Sequence, residues 1–372
     1  MKKHNLTILV AVLGFLVLTI GSVGAVKPDR AHGSSGAVYI MTNDPAGNQV
    51  IAYNRAANGG LAWAGTFSTM GLGASGLTGS NQGGLTLSRG GTWLLVVNAG
   101  SNDVSVFRVS REGLTLTDKV GSGGTMPISV TIHDNWVYAL DAGTSSSAGN
   151  IAGFYLSHRG ELTPIPGSVQ PLSGIAAPAQ VSFNPDGRVL AVTEKSTRLI
   201  NTYTVSSRRV AKGPSIHASS GGTPFGFAFD RAGDLIVSEA AGGPSGTSAV
   251  SSYDVSSAGA LTTISASVPD TQQAACWLVV TGNGRYAYTT NAHSQTISSY
   301  SIASNGAVSL LNPVAANVGG ADLDLARNSR FLYVFNNGQH SIVGYKVHAD
   351  GSLEWMTAAN GVPAGADGLA AI

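Results

Sequence analysis

Cysteine is almost absent: Cys276 is the only one in 372 residues. That excludes an intrachain disulfide and a lipid-attachment cysteine near the N-terminus, and Cys276 reads as a small buried apolar residue. Charge is also scarce. Asp, Glu, Lys and Arg make up 11% of the chain, the net charge is +1, and no Lys/Arg cluster is present that would track phosphates, so nucleic acid is not an expected partner. Paired-cysteine and H-E-x-x-H zinc patterns are missing, as is a G-x-S-x-G nucleophile elbow. Gly71-Leu72-Gly73-Ala74-Ser75-Gly76 fits G-x-G-x-x-G, but no helical pattern follows it, so it reads as a loop and not as a dinucleotide cradle.

What the chain has is glycine, 49 of them, and a repeat. A phrase of the form [Val/Ile]-x-x-[Phe/Tyr] occurs seven times. It ends at Tyr53, Phe107, Phe154, Tyr203, Tyr253, Tyr300 and Tyr345, at spacings of 54, 47, 49, 50, 47 and 45 residues. Units of that length built from short strands cannot bury their apolar faces alone and pack side by side into a ring. The expected fold is all-β, a seven-bladed β-propeller over residues 37–372. Blade 4 shows the layout: a strand from Gln180 to Phe183, the turn Asn184-Pro185-Asp186-Gly187, then a strand from Val189 ending at Glu194. Blade 1 lacks a first strand, while Gly368 to Ile372 resembles a first strand with no blade after it. The C-terminal strand is therefore expected beside Val38–Thr42, closing the ring and hiding two sheet edges. Residues 1–25 read as an export signal, with Lys2 and Lys3, an apolar stretch from Leu6 to Ile20, and small residues Val23-Gly24-Ala25. A retained membrane anchor is the other reading of that segment. Residues 26–36 read as a linker. A secreted or periplasmic propeller with no membrane contact after signal cleavage is the expectation.

The end of each second strand neighbours the start of the first, at one mouth of the channel. At that repeat position stand Asn43, Asn98, Asp141, Glu194, Glu239, Asn291 and Asn336. Turn capping accounts for the asparagines, and hydration accounts for the acids. The sharper expectation is that Asp141, Glu194 and Glu239, in consecutive blades, bind a divalent cation such as Ca2+, or that Glu194 or Glu239 serves as a general base. Gln180, Trp277 and Asp322, at first-strand starts, and His293 and His340, in loops at the same mouth, complete a small-molecule site. Trp277 could instead fill the channel as an apolar plug.

The phrases Leu95-Val96-Val97-Asn98-Ala99-Gly100-Ser101-Asn102, Phe183-Asn184-Pro185-Asp186-Gly187 and Phe331-Leu332-Tyr333-Val334-Phe335-Asn336-Asn337 resemble those of the seven-bladed propeller lactonase family, with its 6-phosphogluconolactonase-like and carboxymuconate-cyclase-like members. The resemblance spans about residues 37–372 and implies hydrolysis of a small lactone; non-enzymatic surface propellers share the phrases, so a binding or cell-surface interaction module is the alternative. Where the family's enzymes often carry a Pro-His-x-His-like phrase, this chain has Ala177-Pro178-Ala179-Gln180. An acidic mouth would repel phosphorylated or carboxylated lactones, which points to a neutral one.

Overall fold

The computed structural model describes Met1 and residues 34–77, 79–242 and 247–372; the proposed signal and most of the linker lie outside the described residues. Among the described residues there are strands and turns but no helix. Seven antiparallel sheets form, six with four strands and one with five. In blade 3 the outermost position is filled by two short strands, Leu162–Pro164 and Gln170–Pro171, both paired to Asn150–Leu156. Prolines at 164 and 166 interrupt what is one long outer strand elsewhere, because proline brings no amide hydrogen to the ladder.

Each repeat aromatic lies on the third strand of its blade and is buried: Tyr53, Phe107, Phe154, Tyr203, Tyr253, Tyr300 and Tyr345. These rings fill the gaps between blades, where aromatic side chains cover large apolar area. Several also hold backbone from the neighbouring repeat, as Tyr203 Oη does in donating to the Pro171 carbonyl at 2.9 Å.

The ring closes as the sequence implies. Strand Asp367–Ala371 pairs with Ser34–Met41, with Val38 opposite Ala371 and Ile40 opposite Leu369. Ala37 and Ile372 exchange backbone hydrogen bonds at 3.1 and 2.9 Å, and the buried Arg55 Nε donates to the Ile372 carbonyl at 3.0 Å. Blade 1's second strand begins at Ser34, inside the stretch read as linker, and ends at Met41, so Asn43 lies just past it.

The innermost strands differ from expectation in one respect that matters for the site. In blades 3 to 7 they begin two residues earlier than read, at Pro127, Pro178, Pro224, Ala275 and Gly320. Each carries a register shift directly after its first pair: Pro178 faces Glu194, but Gln180 faces Thr193. Such a bulge turns the following side chains out of the regular alternation and aims them at the next blade. Inner strands of neighbouring blades do not pair through their backbones, so these side chains stitch them together. Gln180 Nε2 donates to the Phe227 carbonyl at 3.0 Å, and the Phe227 amide donates to Gln180 Oε1 at 2.8 Å. Thr193 Oγ1 donates to the Phe225 carbonyl at 2.5 Å.

Candidate functional site

The seven polar residues at the second-strand ends are buried, and their hydrogen bonds run to their own blade and to the adjoining chain. Glu194 is held at Oε1 by the Ser173 amide (3.0 Å) and Asn201 Nδ2 (2.6 Å), and at Oε2 by the Ser173 and Thr197 hydroxyls. Glu239 accepts from Ser219 Oγ (3.2 Å), the Gly221 amide (2.7 Å) and Ser251 Oγ (2.6 Å) at Oε1, and from Ser267 Oγ (2.5 Å) at Oε2. Asp141 accepts from Ser122 Oγ at 2.5 Å and Asn150 Nδ2 at 3.4 Å, and burial lifts its carboxyl to about 6. Asn98 and Asn291 make the same kind of knot, with Asp103 and Ser105 and with Thr296 and Ser298. The repeat position is a latch: it ties the second strand to the third and to the segment entering from the previous blade. Glu194 and Glu239 are fully buried and line neither of two cavities, one on the channel axis and one between blades 6 and 7, so they have no open space in which to activate water. Asp141, Glu194 and Glu239 are not brought together, and no group of three His, Cys, Asp or Glu side chains that could hold a metal occurs among the described residues.

The mouth beside these latches is shut. The connection from blade 1 to blade 2 dips into the channel, and the Gln82 side chain spans to blade 6, donating to the Leu278 carbonyl (2.9 Å) and accepting from its amide (3.0 Å). Asn81 Nδ2 reaches the Ile128 carbonyl at 2.6 Å. Trp277, 1% exposed, donates Nε1–H to the Asn81 carbonyl at 2.7 Å and packs against Phe225 at 5.2 Å between centroids. Lys195 Nζ lies 4.9 Å from the Phe225 centroid and donates to the Ser80 carbonyl. Burial pulls this amine down to about 8 and pushes the neighbouring Cys276 thiol up to about 12. Trp277 is thus a plug with a satisfied indole, and Gln180 is a strut. His293 and His340 are exposed, in the loops that follow Asn291 and Asn336, and neither lines either cavity.

The open space is on the other side of this plug. A cavity of 560 Å³ runs from Gln82, Gln180 and Asp322 at its floor to the turns at Arg89, Pro185, Gly282 and Arg327, where it meets solvent. Its lining mixes polar and apolar surface in about equal measure, with Leu85, Phe229, Val280 and Leu325 among the apolar residues. Arg89 and Arg327 are exposed at its rim, and Arg327 Nη2 donates to the Arg89 carbonyl. Its distinctive side chains are two carboxyls from blade 7's innermost strand Gly320–Leu325. Asp322 is 1% exposed; its Oδ1 accepts the Leu323 amide at 2.7 Å, while its Oδ2 is buried with no hydrogen-bond partner. Burial first, then the charge of Asp367, holds its pKa well above the usual carboxylate range. Asp324 touches the cavity and accepts the Ala371 amide and its own neighbour Leu325's amide, both at 2.8 Å; burial raises it to about 7. Asp367, fully buried at the head of the closing strand, is likewise raised to about 7 by burial. Three acids therefore sit at the seam where the ring closes. The sequence reading placed Asp322 at the mouth that is plugged and passed over Asp324. The signal was there: Gly320-Ala321-Asp322-Leu323-Asp324-Leu325 places acids at alternate positions of an inner strand, where blade 5 has Gly226 and Ala228.

No helix among the described residues is long and apolar enough to cross a membrane. No curated protein matches the chain. The sequence model of the family described as "Lactonase, 7-bladed beta-propeller" matches residues 246–361. Among solved structures, the periplasmic gluconolactonase PpgL of Pseudomonas aeruginosa shares 15% identity, with a TM-score of 0.69 over 91% of this chain and 99% of that one. A Bacteroides fragilis protein provisionally named a 6-phosphogluconolactonase shares 15%, with a TM-score of 0.68 over 91% and 98%. A Lactobacillus plantarum protein also shares 15%, with a TM-score of 0.69 over 91% and 99%. At these identities the likeness is one of fold. By its ring of seven blades and by the match over residues 246–361, this chain resembles the seven-bladed β-propeller lactonases.

Proposed function

We propose that the protein hydrolyses a small lactone in the plugged cavity, with Asp322 and Asp324 as the working pair. The observation that carries this reading is Asp322 Oδ2, a buried carboxyl oxygen without a partner in a carboxyl group that lines the cavity. Leaving such a group unpaired costs about 1–3 kcal/mol; turning the Asp322 carboxyl into the cavity would let a ligand carbonyl accept its hydrogen bond and offset that cost. A carboxyl held neutral at pH 7 is a donor, and a nearby carboxyl with a pKa near the working pH is a base; two acids pushed apart in this way divide the roles.

In the reaction, Asp324 carboxylate takes a proton from water as its oxygen attacks the lactone carbonyl carbon. Asp322 donates its hydrogen bond to the carbonyl oxygen, where negative charge grows. The tetrahedral intermediate expels the ring oxygen, which takes the proton from Asp324 as the C–O bond breaks. The product is the open hydroxy acid, and Asp324 returns as carboxylate. A bound ligand displaces water from the cavity, which strengthens both interactions. Because the base must be ionised, kcat/KM should rise as pH rises through about 7.

A lactone panel tests the reading with Asp324→Asn, Asp322→Asn and Glu194→Gln alongside the wild type. Asp324→Asn should cost at least about 100-fold in kcat/KM, the usual contribution of a positioned acid–base group. Glu194→Gln, measured below its unfolding temperature, should keep turnover. Lactone binding without turnover in the wild type would replace the enzyme with a binding propeller. Export belongs to the same reading, supported by the basic, apolar and small-residue run of residues 1–25 and by the periplasmic setting of the Pseudomonas relative. N-terminal sequencing of the secreted fraction would find a mature chain starting near residue 26, or refute export.

A further inference from the structure

The chain enters and leaves the propeller at the open face of blade 1. Ser34 lies opposite Ala56, and the Arg55 guanidinium donates to the Ser35 and Ile372 carbonyls, each at 3.0 Å. Blade 1 therefore has no turn between its first two strands, and the turns of blades 7 and 2 flank the gap. Those turns carry Arg327, Arg330, Arg89 and Arg111, all exposed. None of the four has an acid within ion-pair distance among the described residues. The acids in the same turns are Glu112 and Asp350, and Asp350 is already bound to Ser352. Glu354 is shared by Lys346 and His348. At the plugged end of these three blades the loops carry Asp44 and no Lys or Arg.

Two tryptophans stand in the same sector. Trp63 and Trp355 occupy one repeat position, opposite Tyr53 and Tyr345, two residues in from the open-face end of the outermost strands of blades 1 and 7. There blades 2, 3, 5 and 6 have Leu116, Pro164, Thr263 and Leu310. The two blades touch where Tyr333 Oη donates to the Gly59 carbonyl at 2.7 Å. Trp63 is 58% exposed and Trp355 62%, and neither indole has a partner among the described residues.

We infer that this edge of blades 7, 1 and 2 docks on the surface of an anionic lipid bilayer. Unpaired guanidiniums meet the lipid phosphates, and the indoles enter the headgroup layer, which accepts both an apolar ring and its N–H. A soluble polyanion would engage the arginines and leave the indoles in water. The chain preceding Ser34 carries Lys27 and Arg30, and it joins the propeller at this edge and not at the plugged end. Signal cleavage removes a span but leaves the arginines and indoles in place. Net charge hides the feature, because the fold gathers cations such as Arg89 and Arg327, which are 238 residues apart. The inference does not depend on lactone hydrolysis.

Cosedimentation of the isolated protein with phosphatidylcholine vesicles, with and without phosphatidylglycerol, is the test. Binding should require phosphatidylglycerol and weaken with salt. Arg111 and Arg330 lie outside the cavity lining, so they report docking apart from ligand binding. Arg111→Gln/Arg330→Gln should raise the lipid concentration for half-binding at least about tenfold, from roughly fivefold per arginine. Arg208→Gln/Arg231→Gln removes the same charge from blades 4 and 5, across the ring, and should stay within about twofold of the wild type, since these positions lie beyond the screening length from the docked edge. Trp63→Ala/Trp355→Ala should weaken binding as well. Lipids brominated in their acyl chains should quench the wild-type fluorescence, a reading that needs no variant, and quench that of the tryptophan variant less. Binding that ignores phosphatidylglycerol, equal losses in the two arginine pairs, fluorescence untouched by bromine, or binding to polyphosphate without binding to vesicles would overturn the inference.

Discussion

The two ends of the channel are built from the same repeat and do opposite work. At the plugged end, the connections between blades are rich in Gly, Ser, Ala and Asn, as in residues 69–84, and carry few charges. At the open end, the turns after the innermost strands carry Arg89, Arg188, Arg231, Arg285, Arg327 and Arg330, all exposed. The plugged end has buried its polar groups in blade-by-blade latches, so it is a structural face. The open end leaves polar atoms free around a cavity, so it is where a ligand can gain from binding. Strand-end polarity is thus a poor guide to a propeller's site. What distinguishes the ends is which polar groups border open space, since buried oxygens without a partner occur at both, on Asn81 and Asn291 at the plugged end and on Asp322 at the cavity.

Opening the ring erases the distinction altogether and should have the largest effect. Deleting residues 367–372 removes the innermost strand of blade 1, the carbonyl that Arg55 binds, and the amide that holds Asp324. It also exposes the edge of Ser34–Met41. The loss should be of the same order as the whole stability of a domain, about 5–15 kcal/mol. Urea unfolding should lose its single cooperative transition, and a peptide of residues 367–372 added in trans should restore part of it.

Next in size is the loss of a latch. Glu239→Ala strands three hydroxyls and the Gly221 amide in the interior, which should cost about 3–5 kcal/mol by the precedent of broken buried charge networks. If the latch role is right, the surviving folded fraction at low temperature binds ligand in the cavity with unchanged affinity. A fall in affinity with stability intact would return Glu239 to the site.

A smaller, pH-dependent effect belongs to the seam. Asp367 has a folded-state pKa of about 7, above its value in the unfolded chain, so the folded state holds the extra proton between those values. Its contribution is therefore fully present below about pH 4 and is lost as pH rises through 7. Asp367→Asn cannot lose that proton. It should gain stability over the wild type by about 2–4 kcal/mol at pH 8 and show little gain at pH 4, as read by thermal melts across pH.

How legible these features were follows from their range along the chain. Blade number and ring closure could be read because both rest on local patterns: the repeated aromatic phrase and an unpaired strand at the C-terminus. Six second-strand ends could also be read, from Asn98 to Asn336, since each falls where an apolar run stops. The latches could not, because Ser173 reaches Glu194 and Ser267 reaches Glu239 across 21 and 28 residues of chain. Trp277 could be read as filling the channel, but its support could not, because Gln82 meets Leu278 at a separation of 196 residues. Asp324 was missed for a different reason. Alternating acids and leucines look like a strand with one wet face, and only the ring's geometry makes that face the wall of a cavity.

The smallest effect expected is at the plug itself, and it tests whether that end is closed by design of the packing or merely crowded. Gln82→Ala removes one donor and one acceptor from the Leu278 backbone, and water entering from the cavity can replace both in part. The cost should be about 1–2 kcal/mol. The informative reading is access. Trp277 rests on the Asn81 carbonyl, one residue before Gln82. Its fluorescence, isolated by difference against Trp277→Phe, should be shielded from acrylamide in the wild type and become quenchable in Gln82→Ala. Equal shielding in both would mean that Trp277 and Phe225 seal the channel without the glutamine. The plug would then be an apolar stopper, with Gln82 serving only to join blade 6 to the connection between blades 1 and 2.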